Sequence, residues 1–326
     1  MFHFKTWFLI LIAIGSMSSP LVSSGQSLTA ASRAFFEERN FEAAKKILVT
    51  IAKNNAEYAE AQYYLGRIAV EERQYDLSVE KFEEAIATNP RVVEYHNWLG
   101  VMYGVVAMNA NALKQAYLAP RIRNEFEISA KLDPHNIQTQ WGLINYYVKA
   151  PGFLGGSWDK ALACADVIGE HDKAQGLRAL AFVHAAQNKT ELAEKEYLAA
   201  VNEQPSNFEN TFALAQFYHD QKNYEKAFAL YESVIKKYPG NMVASFHYGL
   251  VSAHSGLQIE KGITCLNQYL GYTPRPNEPA HADANLGLAI IYEKKGDTIR
   301  AKKYYETSLQ LHPGLREAKK ALERLN

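Results

Sequence analysis

Two distant stretches of this chain share one pattern. Residues 59–90 read A-E-A-Q-Y-Y-L-G-R-I-A-V-E-E-R-Q-Y-D-L-S-V-E-K-F-E-E-A-I-A-T-N-P, and residues 208–239 read F-E-N-T-F-A-L-A-Q-F-Y-H-D-Q-K-N-Y-E-K-A-F-A-L-Y-E-S-V-I-K-K-Y-P. The eighth place is small in both (Gly66, Ala215), the seventeenth aromatic (Tyr75, Tyr224), and the twentieth small (Ser78, Ala227). The twenty-fourth is aromatic (Phe82, Tyr231), and a proline closes each stretch at the thirty-second (Pro90, Pro239). A repeat of this length marks an array of supersecondary units, each hiding its apolar side only against its neighbours. The flanking segments carry helical periodicity, and the closing proline ends a helix.

These residues resemble the tetratricopeptide repeat, a helix–turn–helix unit of 34 residues. The resemblance implies an all-α fold, a right-handed superhelical solenoid. Small residues at places eight and twenty let the two helices of a hairpin approach closely, and the aromatic at twenty-four fills the gap to the next unit. Eight units are expected, near 25–58, 59–92, 93–136, 137–173, 174–207, 208–241, 242–281 and 282–315, followed by a capping helix over 315–326. The small residue at place twenty recurs as Ala44, Ala161, Ala193 and Ala301, and further closing prolines are Pro134, Pro205 and Pro313.

Two units are long. The third has 44 residues, with the extra ones around Met108 to Arg123 and Pro120 expected near the start of its second helix. The fourth holds K-A-P-G-F-L-G-G-S-W-D-K-A, Lys149 to Ala161, a widened turn whose glycines are expected to supply positive φ angles. The third unit's second half, followed by N-Y-Y-V-K-A-P-G-F-L-G-G-S-W-D-K-A, is similar to exported bacterial tetratricopeptide proteins of no established activity.

The N-terminus agrees with export. A short basic start is followed by the apolar block Trp7 to Ile14 and by small residues ending at Gly25. Residues 1–25 are therefore expected to be a signal peptide, and the protein periplasmic or secreted. The apolar block is far shorter than the roughly 20 residues of a membrane-spanning helix, and no span is expected in the mature chain. Lys plus Arg and Asp plus Glu are equal at 35 each, which argues against nucleic acid as the partner. The two cysteines, Cys164 and Cys265, fall three units apart, about 20–30 Å by ordinary helix spacing. A disulfide needs Cα atoms within about 7 Å, so both are expected to be free core residues.

Motifs for chemistry are thin. Ser157-Trp-Asp-Lys160 matches S-x-x-K, but the S-D-N and K-T-G companions of penicillin-recognising serine enzymes are missing, so Ser157 reads as a helix N-cap. The Gly152–Gly156 run lacks the G-K-[ST] ending of a phosphate loop. The ten histidines show no metal-ligand spacing; His219 and His254, at similar register in neighbouring units, have no evident third ligand. No enzyme activity, cofactor or metal is expected.

The resemblance places positions five and nine of each unit in a concave groove. The residues expected to line it are Arg33, Tyr63, Arg67, Trp141, Asn145, Arg178, Phe182, Phe212, Gln216 and Phe246. Aromatic platforms with a few arginines and amides suit an extended peptide. The expected function is therefore a scaffold that binds a protein or peptide partner, as an assembly factor. The alternative is a small-ligand pocket walled by the long third hairpin and the 151–158 loop. The family's clamp for C-terminal carboxylates uses Lys and Asn at places five and nine of the first unit. Thr29 and Arg33 stand there, so that activity is not carried over.

Overall fold

The computed structural model describes residues 26–108, 110–276 and 278–325, so the expected signal segment, 1–25, lies outside the described residues. Those residues form seventeen α-helices and no strand. They divide into two compact units, up to Asp172 and from Lys173 onward.

The first unit holds α1 (Gln26–Phe36), α2 (Phe41–Leu48), α3 (Tyr58–Glu71), α4 (Tyr75–Thr88), α5 (Val93–Met108), α6 (Ala112–Leu132), α7 (Ile137–Lys149) and α8 (Trp158–His171). Its helices pair as successive hairpins around one core from Leu28 to Leu118. Close approach of packed helices, within a hairpin and between successive ones, rests on glycine. A Cβ on Gly66 would meet the Phe82 ring at 2.7 Å, and one on Gly142 would meet Phe126 at 2.4 Å. Both distances fall well inside the 3.5–4.0 Å of ordinary carbon contact.

The second unit holds α9 (Lys173–Ala186), α10 (Thr190–Glu203), α11 (Phe208–Asp220), α12 (Tyr224–Lys237), α13 (Met242–Ser255), α14 (Ile259–Leu270), α15 (His281–Lys294), α16 (Thr298–Leu311) and α17 (Arg316–Leu325). One core runs from Ala181 to Cys265 and a second from Phe246 to Ala321. The last helix closes that second core with Ala318 and Ala321, its charged face outward. Both cysteines are free and buried. Cys265 occupies place twenty-four of its unit, where Phe82, Tyr231 and Tyr305 stand in others.

The turn inside a standard hairpin has one recurring backbone feature. Arg39, Arg73, Asn188, Lys222, Gly256 and Gly296 all have positive φ, and each is the fifteenth residue of its unit. A left-handed residue there reverses the chain in three or four residues, and glycine is used at only two of the six sites. Successive units are pinned by a second recurring device, a tyrosine hydroxyl on a first helix donating to a glutamate on the helix before it. The pairs are Tyr103–Glu83 (2.5 Å), Tyr147–Glu127 (3.1 Å) and Tyr218–Glu194 (2.6 Å).

The two long units differ from expectation in detail. Pro120 lies inside α6, not near its start, because the extra residues extend that helix by about two turns on its N-terminal side. Proline leaves the carbonyl four residues back without its helical donor. Ala116 is solvent-exposed, so water can serve that carbonyl. In the 151–157 turn only Gly155 has positive φ (96°). Gly156 is needed for a different reason, since a Cβ there would sit 1.8 Å from the Ala150 carbonyl oxygen. Ser157 caps α8 as expected, its Oγ accepting from the Lys160 amide at 3.3 Å.

Candidate functional site: the first-helix faces

In the first unit the expected residues separate into surface and core. Arg33 is exposed and pairs at 3.8 Å with Glu37, one turn along α1. Tyr63 is buried; its ring stacks on Tyr95 at 5.2 Å and leans on Phe82. Tyr63 is therefore a core residue and offers a partner no face, a correction to its expected role. Its hydroxyl accepts a 2.8 Å hydrogen bond from Nη1 of Arg67.

Arg67 is the distinctive group of this unit. Its guanidinium lies 4.0 Å from the centroid of Trp98, with Phe35, Phe36 and Tyr63 between 5.4 and 5.9 Å away. The cation is held on ring faces, it is partly exposed, and among the described residues no carboxylate pairs with it. Trp98, at place six of its unit, was missed because only places five and nine were assigned to this face.

Trp141 is partly exposed, and its carbonyl accepts from Nδ2 of Asn145 at 2.9 Å. Asn145 is 5% exposed, with its amide folded back on its own helix, so it too is corrected to a structural residue. The 151–158 turn does not fold inward over a pocket. Its Leu154 carbonyl accepts from the Tyr146 hydroxyl (2.5 Å) and from Arg123 Nη1 (3.3 Å), which ties its base to α7 and α6. The tip points to solvent, with Phe153 87% and Trp158 42% exposed, so the expected apolar wall of a small-ligand pocket is not formed by these two side chains.

In the second unit, Arg178 pairs with Glu209 at 3.0 Å, its side chain only 14% exposed. Phe182 and Phe246 are buried and belong to the core, again against expectation. Phe212 and Gln216 share one partner. Tyr231 meets the Phe212 ring edge-on at 5.4 Å and donates its hydroxyl to Gln216 Oε1 at 3.2 Å. Gln216 in turn donates to Asp220 at 3.1 Å.

The neighbour of Phe212 on α13 is His247, with ring centroids 5.0 Å apart, rather than Phe246. His247 stands at place six of its unit, as Trp98 does, and stacks at 5.8 Å on Tyr231, the place-twenty-four aromatic of the preceding unit, just as Trp98 stacks on Phe82 at 6.0 Å. The same 35-residue offset brings Nε2 of His219 within 2.8 Å of Nδ1 of His254. Burial pushes His219 down to about 4, helped by the His254 ring, and pushes His247 down to about 3. Asp220 reaches solvent at its edge, yet desolvation raises its carboxyl to about 6 against the Gln216 hydrogen bond.

Among the described residues no helix is long and apolar enough to cross a membrane. Sequence models of the tetratricopeptide repeat match residues 29–90, 178–241 and 282–314. No curated protein sequence matches the chain. Among solved structures, yeast Tom70 is similar at a TM-score of 0.69 and 16% identity, covering 98% of this chain and 67% of that one. Human IFIT1, solved as a dimer with m7Gppp-AAAA, is similar at 0.61 and 14% identity, covering 90% and 71%. A tetratricopeptide repeat protein from Parabacteroides merdae gives 0.52 at 10% identity, covering 92% and 99%. Together with the hairpins and their glycine–aromatic contacts, these matches place the chain in the tetratricopeptide repeat family.

Proposed function

We propose that the protein is a non-enzymatic scaffold whose first-helix faces bind an extended polypeptide, and that Arg67 selects an acidic residue of that partner. The observation that carries this reading is the Arg67 guanidinium, partly exposed on the Trp98 face with no carboxylate of its own chain among the described residues. A charge-assisted, two-pronged contact to a carboxylate is the strongest hydrogen bonding a guanidinium makes. A cation already positioned by aromatic rings loses little freedom in making it. Export, with removal of residues 1–25, belongs to the same proposal. It is supported by the three-part layout of that segment and tested by N-terminal sequencing from the host.

The test is selection of a displayed random-peptide library on purified wild type and on R67Q. The wild type is expected to enrich sequences carrying Asp or Glu at one fixed place, and R67Q to lose that enrichment. The same acidic enrichment on both proteins refutes the assignment. A capped oligoribonucleotide titrated in parallel is expected not to bind; tight binding refutes the polypeptide reading.

A further inference from the structure

A second pair of histidines lies apart from the residues described above. His135 stands in the turn between α6 and α7, and His171 is the last residue of α8. Nδ1 of His135 and Nε2 of His171 are 2.8 Å apart, with the two rings edge-to-face at 4.5 Å. The Glu170 carboxylate completes the group, and the three ligand atoms lie within 4.8 Å of one another. We infer that His135, Glu170 and His171 form a binding site for one late first-row divalent cation of the Zn²⁺ or Ni²⁺ type.

The chemistry of the donors sets the class. Two imidazoles and one carboxylate suit Zn²⁺, Ni²⁺ or Cu²⁺, whereas Mg²⁺ and Ca²⁺ take oxygen ligands. Such a cation holds N and O donors at about 2.0–2.2 Å. Its ligands then stand about 3–3.5 Å from one another, so the present spacing closes with small rotations of exposed side chains. Binding replaces the hydrogen shared between the two ring nitrogens. That proton leaves or moves to the far nitrogen of its ring, and both facing nitrogens present lone pairs.

Two further features favour a cation at this point. The last carbonyls of α8 give its C-terminus partial negative charge. The His135 turn is also held in place, its amide donating to Asp133 Oδ1 at 3.0 Å. Two histidines and a glutamate leave a coordination position open to water or to a donor from outside. The pair was invisible in the sequence because its members lie 36 residues apart, on one turn and one helix end, with no short spacing to betray them. The His219–His254 pair differs: His219 is buried, and among the described residues no carboxylate joins the pair to make a three-donor group.

The experiment is a Zn²⁺ titration of the tag-free protein, followed by competition with a chromogenic indicator. Wild type, H135A, H171A, E170Q and H254A are compared. Wild type and H254A are expected to bind one equivalent with equal affinity. H135A and H171A are expected to lose it, and E170Q to bind more weakly. All substituted positions at the proposed site are exposed, so unchanged circular dichroism without metal is the folding control. Failure of wild type to bind overturns the assignment, as does binding that survives in H135A or H171A, or binding lost in H254A.

Discussion

The Phe126 ring offers the sharpest test of how these hairpins pack. It is 5% exposed and lies between two glycines of different first helices, Gly142 on α7 and Gly100 on α5. In G142A the new methyl would meet three ring carbons at 2.4–2.6 Å. Ordinary contact requires about 3.5 Å or more, so the ring must retreat by about 1 Å. Retreat is hindered on the other side, where even a Cβ on Gly100 would sit only 3.0–3.1 Å from the same ring. Overpacking of this kind costs about 1–3 kcal/mol, while Gly→Ala within a helix returns about 1 kcal/mol of propensity. The first unit should therefore lose up to about 2 kcal/mol, the difference of those two terms. F126L removes the ring and should make G142A much less costly, so the double variant is non-additive. Urea unfolding followed by circular dichroism reads this out, with the transitions of the two units fitted separately. If G142A alone stabilises by the full propensity gain, the close approach of α7 to the Phe126 ring is wrong.

The left-handed turn residue Lys222 is exposed, at φ 59°. K222G removes a side-chain penalty of about 1–2 kcal/mol at the expense of unfolded-chain entropy. A small rise in Tm is expected, and a fall would contradict a native left-handed conformation. Y147F removes the hydroxyl that Glu127 accepts and should cost about 1 kcal/mol by denaturant titration, whereas a neutral result would deny the pin any part in stability. His247 and His219 are held below the ordinary histidine value in the folded chain, so the unfolded state takes up protons first as pH falls. Their contribution is complete above about pH 6.5 and is lost progressively from there toward pH 4. Asp220, raised to about 6, acts in the opposite sense between about pH 6 and 4. H247F should therefore flatten the acid-side decline of the second unit's Tm, and an unchanged profile would dismiss His247 as its source.

The architecture was legible in the sequence because its constraints repeat. Gly66 and Phe82, sixteen places apart, recur as a small–aromatic pair, and the structure shows the contact that demands them. The binding faces were less legible because they depend on rotation about a helix. Place five exposes Phe212 in part but buries Tyr63 and Phe246, and place six, which carries Trp98 and His247, supplies the rings that meet the preceding unit. Asn145 looked like a directional donor, yet it spends its amide on the carbonyl of Trp141. The metal-binding class of reading fared differently again. His135 and His171 meet only because one unit's end packs beside the previous unit's turn, a relation carried by tertiary structure alone.

The Leu154 carbonyl, gripped by one tyrosine and one arginine, separates the glycine-rich bend into an anchored base and a free rim. Residues 152 and 153 sit on that rim, where a backbone cut or a grafted epitope would leave both grips and the crowded Gly156 untouched. This bend is thus a natural port for a reporter group, able to watch the protein at work without unseating the helices beneath it.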